Sequence, residues 1–199
     1  IHVRWSNTSK PSLGGIAIFA SIFMAMIVYL ISHPTENIFG NERFLFFFFG
    51  LSIAFFMGLA DDAFNTRPLI KLVTQILCGL SLVAGNLVIP LTNVFWMDSV
   101  VTVIWVVGLM NSLNMLDNMD GITTSISINI FSFLLVFSLL FNTPVFDIHT
   151  FIIIGVIGSL CGFLFVNAPP SKLFMGDSGS QVIGYAVAFY SIYYLWDQA

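Results

Sequence analysis

Three short stretches of this 199-residue sequence hold most of the side chains able to do chemistry. "GLADDAFNTRPLIK" sets two adjacent carboxylates, Asp61 and Asp62, ahead of Lys71. "NSLNMLDNMDG" places Asp117, Asp120, Asn111, Asn114 and Asn118 between two oily runs. "KLFMGDSGS" frames Asp177 with Gly176 and Gly179. Neighbouring carboxylates repel and stay jointly ionised only near a cation. Carboxylates and amide carbonyls with few basic groups describe a site for a hard divalent ion. Mg²⁺, with Mn²⁺ as a substitute, takes one or two carboxylates and shares the rest of its shell with substrate phosphates.

Each stretch has a plainer reading when taken alone. The aspartate pair reads as a solvated helix end, Lys71 as a snorkelling residue, and Asp177 as an N-cap. In "NSLNMLDNMDG" a helical repeat of about 100° per residue brings Asn111, Asn114, Asp117 and Asn118 into an arc of roughly 120°. That face cannot look at hydrocarbon, where unpaired amides and carboxylates are too costly. It must face the bundle interior or a watery cleft. The glycines around Asp177 permit close approach of backbone to ligand, and the helix that follows offers N–H groups to an anion.

Composition dictates the elements that position these residues. The chain is 58% hydrophobic and 8% charged, with a mean hydropathy of +0.97; a soluble domain is about a quarter charged. Its net charge of −4 and lack of a basic block exclude nucleic acid as a partner. Apolar runs at Gly14–Ser32, Phe44–Ala60, Leu69–Gly85, Ser99–Leu116, Ile122–Phe141, Phe151–Val166 and Gly179–Trp196 approach or reach the ~20 residues a helical span needs. They are continuous rather than alternating. The expected fold is therefore all-α: a polytopic membrane helical bundle of about seven transmembrane helices in one domain over residues 1–199. Cys78 and Cys161 read as two buried thiols, and "GSLCG" (Gly158 to Gly162) has the spacing for close helix packing.

Seven spans fix the side of every connection. Loops near 1–13, 61–69, 111–121 and 167–179 fall on one side. Arg4, Lys10, Arg67, Lys71 and Lys172 lie there, with only Arg43 opposite, so that side is expected to be cytoplasmic. Asp61, Asp62, Asp117, Asp120 and Asp177 gather on the same side. Glu36, Glu42, Asp98, Asp147 and Asp197 are scattered on the other and read as ordinary solvated ends.

In this order and on one side, "GLADDAFNTRPLIKLVTQ", "NSLNMLDNMDG" and "KLFMGDSGSQVIGY" resemble the polyprenyl-phosphate N-acetylhexosamine-1-phosphate transferases, a family that also includes phospho-MurNAc-pentapeptide transferase. "PSLGG" at Pro11–Gly15 resembles the loop before an early span of that family. The resemblance implies that a lipid-carrier phosphate attacks the β-phosphate of a UDP-N-acetylhexosamine, giving polyprenyl-diphosphate-sugar and UMP as the first membrane step of an envelope polysaccharide. It implies Asp177 as the Mg²⁺ ligand, Asp61 and Asp62 as the catalytic pair near the lipid phosphate with Asp61 as the family's proposed base, and Asn114, Asp117 and Asp120 as lining the nucleotide-sugar site, the two aspartates also counted as catalytic. Asn111, Lys71 and Gly176 join them as substrate-binding positions, and Phe174 sits where the family has an aromatic near the uracil. The implied setting is the inner, cytoplasmic membrane, with undecaprenyl phosphate as carrier and a homodimer as the assembly considered.

The sequence departs from that pattern in two ways. Asn118 stands where many relatives have Gly, and the family's first span and its His-rich loop are expected outside this chain, which reads as an internal piece. Two other readings compete. An ion-coupled transporter needs carboxylates near the bilayer midplane, and another Mg²⁺-dependent membrane phosphotransferase needs a single contiguous aspartate motif.

Overall fold

The computed structural model describes residues 11–141 and 147–196. Arg4 and Lys10, two of the basic residues behind the orientation, and Asp197 lie outside the described residues. The described residues form seven α-helices: α1 (Gly14–Ser32), α2 (Glu42–Phe64), α3 (Pro68–Ala84), α4 (Phe95–Leu116), α5 (Ile122–Phe141), α6 (Ile148–Asn167) and α7 (Gly176–Leu195). A 3₁₀ turn, Ile38–Gly40, precedes α2. Five helices, α1, α2, α4, α5 and α6, are long and apolar enough to cross a membrane. With α3 and α7 they make a multi-pass membrane bundle.

Local chemistry sets the helix ends. Asn41 caps α2 by accepting from the amides of Arg43 and Phe44, and Asp147 caps α6 by accepting from Thr150. Pro68 starts α3 where its missing N–H costs nothing. Asn65 closes α2 in the left-handed conformation, φ 50°.

Helix α7 is the axis of the bundle. All of its 20 residues except Asp177, Tyr193 and Leu195 are buried, against α1, α2, α4 and α5. A helix enclosed by protein rather than lipid can carry Gln181, Ser178 and Ser180. That explains why it is less apolar than its neighbours.

Small residues bring α7 close to its partners. A Cβ on Gly15 of α1 would strike the backbone of Ser178 and Gly179, and one on Gly184 would come within 2.7 Å of Met110 Cα in α4. Gly158 and Gly162, expected to allow close helix packing, meet no neighbour among the described residues. Cys78 is buried as expected, but Cys161 is exposed. In both cases the apolar environment at that part of α6 is the outside of the bundle, which composition cannot distinguish from its interior.

Four boundaries shift by three or four residues: α6 starts at Ile148 rather than Phe151, and α2 runs to Phe64 rather than Ala60, so Asp61 and Asp62 stand on the helix and not in the expected loop 61–69. α4 starts at Phe95 rather than Ser99, which places Asp98 in its first turn, where it is buried and accepts from Leu91, Thr92 N and Thr92 Oγ1. It ties the preceding turn to the helix and is not a solvated end. α7 starts at Gly176 rather than Gly179, so Asp177 belongs to the helix itself.

Candidate active site

The segments that parity assigns to one side do meet at one end of the bundle. α1 enters beside the α6–α7 connection, with Gly14 N and Gly15 N donating to the carbonyls of Phe174 and Met175, and Phe174 N donating to Pro11 O. The "PSLGG" stretch is thus a clamp on the loop that carries Asp177. The α4–α5 connection joins the same loop, since Ser171 N donates to Asp120 Oδ2 at 3.0 Å. Asn167 strengthens the joint. Its Oδ1 accepts from Gly121 N and Thr124 Oγ1, and its Nδ2 donates to Leu173 O.

Inside this frame four helices deliver one side chain each to a common point. The ammonium of Lys71 (α3) lies 3.1 Å from Asp61 Oδ2 (α2), 3.0 Å from Asn114 Oδ1 (α4) and 3.0 Å from Asp177 Oδ1 (α7). Asn114 Nδ2 donates to Asp177 Oδ1 and to Ser180 Oγ. Asp61 Oδ1 accepts from both N and Oγ1 of Thr66, which turns its other oxygen toward Lys71. Asp177 is the more open carboxylate: its side chain is 31% exposed against 10% for Asp61. Asp177 lies ahead of the apolar part of α7. Burial and the adjacent Asp61 carboxyl push its pKa above the usual carboxylate range, against Asn114 and Lys71, which pull it down. Two carboxylates sharing one ammonium are short of positive charge.

The twin aspartates part company. Asp62 accepts from Asp177 N at 2.9 Å and Ser178 N at 3.0 Å, one oxygen to each. It therefore caps α7 from another helix. The α7 amides, expected to receive an anion, already hold this carboxylate. Gly176 has φ +77°, and a Cβ there would lie 2.8 Å from Asp62 Oδ2. The close approach that its lack of a side chain permits is to Asp62.

The remaining expected residues take varied places. Asn111 is paired amide to amide with buried Gln75, donating at 2.9 Å and accepting at 3.2 Å, and Gln75 Nε2 also donates to Gln181 Oε1. This chain of amides runs from the site into the bundle. Asp117 stands at the C-cap of α4, three residues beyond Asn114. Asn118 is exposed and donates to Met115 O. Phe174 is held through its backbone to α1. Gln75 follows Lys71 by four residues on α3; Gln181, Thr66 and Asn167 carry no sequence signal, because nothing in the chain shows which side chains they will meet.

The donor set can be tested against a metal. Among the described residues no three His, Cys, Asp or Glu side chains converge. The convergent oxygens come from two carboxylates and an amide, all hard donors, with room on the open side of Asp177. That suits Mg²⁺, which leaves part of its shell to water and phosphate, and does not suit a closed all-protein cage.

A family model described as glycosyl transferase family 4 matches residues 44–195. The chain belongs to this family. The match runs from the start of α2 to the end of α7 and contains all three polar stretches. Among relatives, the chain is 29% identical over 191 residues to a probable undecaprenyl-phosphate N-acetylglucosaminyl 1-phosphate transferase of Bacillus subtilis, covering 92% of this chain and 51% of that protein. It is 32% identical over 209 residues to a phospho-N-acetylmuramoyl-pentapeptide-transferase of Staphylococcus carnosus, covering 94% and 63% respectively. The chain thus spans between half and two thirds of the length of these relatives.

Proposed function

We propose that this chain forms the membrane core of an enzyme that transfers N-acetylhexosamine-1-phosphate from a UDP-sugar to a polyprenyl phosphate such as undecaprenyl phosphate, releasing UMP. The observation that carries this reading is the convergence of Asp61, Lys71, Asn114 and Asp177 from four helices at one end of the bundle. There a water-soluble diphosphate can meet a lipid phosphate. The names of the relatives support the two substrate classes. Among the described basic residues Arg67, Lys71 and Lys172 lie at this end and Arg43 at the other. This supports a cytoplasmic site in the cell membrane.

In the proposed reaction an oxygen of the lipid phosphate forms a bond to the β-phosphorus of the UDP-sugar. The bridging P–O bond breaks, and its electron pair leaves with UMP. A lipid phosphate monoester has its second pKa near 6 and is mostly dianionic at neutral pH, so no strong base is required. Phosphoryl transfer is accelerated mainly by positioning and by neutralising charge. Asp177, with Asn114 and Asp61, would hold Mg²⁺, which when bound supplies positive charge against the diphosphate. Lys71 supplies a mobile positive charge beside it. Asp117, Asp120 and Phe174, in the two neighbouring connections, are proposed to border the nucleotide sugar, with Asp120 keeping those connections together. An ion-coupled transporter draws no support from this geometry, because the convergent charges sit at one end.

The test is to supply the full-length protein with polyprenyl phosphate, Mg²⁺ and UDP-N-acetylglucosamine labelled at its β-phosphorus. Label is expected in the lipid fraction with stoichiometric UMP. Release of UDP, or no transfer with either N-acetylglucosamine or N-acetylmuramoyl-pentapeptide donors, contradicts the proposal.

A further inference from the structure

Lys71 occupies an unusual position for a substrate-binding lysine: its ammonium sits among the oxygens of Asp61, Asn114 and Asp177, at 3.0 to 3.1 Å from each. Those three atoms come from three helices, and the proposed function assigns them to a divalent ion. A fourth helix, α3, brings the one positive charge that now satisfies them. We infer that Lys71 is a built-in counter-ion that keeps the cation's place, yields the three oxygens to it, and turns its ammonium to a phosphate oxygen of the substrate. This rests on the functional reading above and adds a direction to it, since Lys71 and the metal compete for the same donors before they cooperate on the same substrate.

Charge and geometry carry the argument. Two carboxylates with one ammonium leave a net negative charge that attracts a divalent ion, and without the ammonium the two carboxylates would repel each other. The lysine stem is flexible and its side chain is 18% exposed, so the ammonium can leave the three oxygens by turning its own side chain. Thr66 holds Asp61 through its other oxygen and Asn114 holds Asp177 at the oxygen that Lys71 also meets, so both carboxylates keep a partner when the ammonium leaves. A merely structural ion pair has no reason to be built from a long mobile cation bridging the three donors most suited to a metal.

The inference makes effects of opposite sign. Mn²⁺ binding to the full-length protein in detergent can be followed by electron paramagnetic resonance for the parent, Lys71→Gln and Lys71→Arg. Removing the competing charge should tighten Mn²⁺ about tenfold in Lys71→Gln, while kcat/KM for the nucleotide sugar falls. Lys71→Arg, which keeps the charge, should bind Mn²⁺ as the parent does. A structural clamp predicts the reverse, since the site would loosen and Mn²⁺ would bind more weakly. Unchanged or weaker Mn²⁺ binding in Lys71→Gln overturns the inference. Asp177→Asn is the control for the reading beneath it. Mn²⁺ binding that does not depend on Asp177 takes down the metal site itself, whatever Lys71 does.

Discussion

The two ends of the bundle use their carboxylates differently. At the end away from the site, acidic side chains are tied to near neighbours in sequence. Asp98 accepts from Thr92, six residues away, Asp147 from Thr150, three away, and Glu36 from the Tyr29 hydroxyl, seven away. At the site end local bonds, such as those from Thr66 to Asp61, are joined by others that cross the chain. Lys71 meets Asp177 over 106 residues, Asn114 meets it over 63, and Asp62 reaches its amide over 115. A local bond can be explained by the turn or helix end it stabilises. A bond that needs four helices to converge, and leaves carboxylates sharing one ammonium, is not explained by any one of those helices.

Substitutions at each end distinguish the two kinds of bonding. The largest effect among them is expected from Asp61→Asn, which removes charge from the convergent cluster. Turnover should fall on the order of 10²-fold, with weakened Mn²⁺ binding. Complete loss at every pH with Mn²⁺ and substrate affinity intact would instead make Asp61 an essential base. Asp62→Ala strips the cap from α7 and should cost about 2 kcal/mol of stability while misplacing Asp177. Thermal unfolding and Mn²⁺ affinity should therefore change together; a change in neither would remove the capping role. Gly176→Ala forces a side chain into a left-handed residue against Asp62, and about 1–2 kcal/mol should be lost. At the other end Asp98→Asn should lower the melting temperature yet leave turnover per folded molecule unchanged, and a loss of turnover would mean the two ends are coupled. The smallest effect is expected for His149→Phe. His149 is buried among Phe47, Phe189 and Tyr193, and among the described residues neither ring nitrogen has a hydrogen-bond partner. Replacing it with an apolar ring should shift stability by less than about 1.5 kcal/mol in either direction, read by the same unfolding assay.

Much of this contrast was legible in the sequence. Continuous apolar runs separated by turn residues gave helices whose cores agree with those observed, because hydrocarbon-length runs have few alternatives. Counting spans was enough to bring Asp61, Lys71, Asn114 and Asp177 to one end. The division of labour between Asp61 and Asp62 was not legible. Adjacent helical residues point about 100° apart, so identical neighbours meet different helices, and only the packing of α7 decides which one caps it. Asn111 shared an arc with Asn114, yet one pairs with Gln75 inside the bundle and the other faces Lys71. Asp98 was misread because a carboxylate near the start of an apolar run looks like a solvated end until the turn that buries it is known.

On the proposed function the long-range cluster carries the chemistry and the locally bonded end does not. The most direct test is β-phosphate transfer from UDP-N-acetylglucosamine to polyprenyl phosphate by full-length Asp177→Asn and Asp98→Asn side by side, each normalised to folded protein. Loss of transfer on the order of 10³-fold in Asp177→Asn, with Asp98→Asn at the parent rate, is the predicted result. Equal losses in the two variants, or transfer that survives Asp177→Asn, would contradict the account.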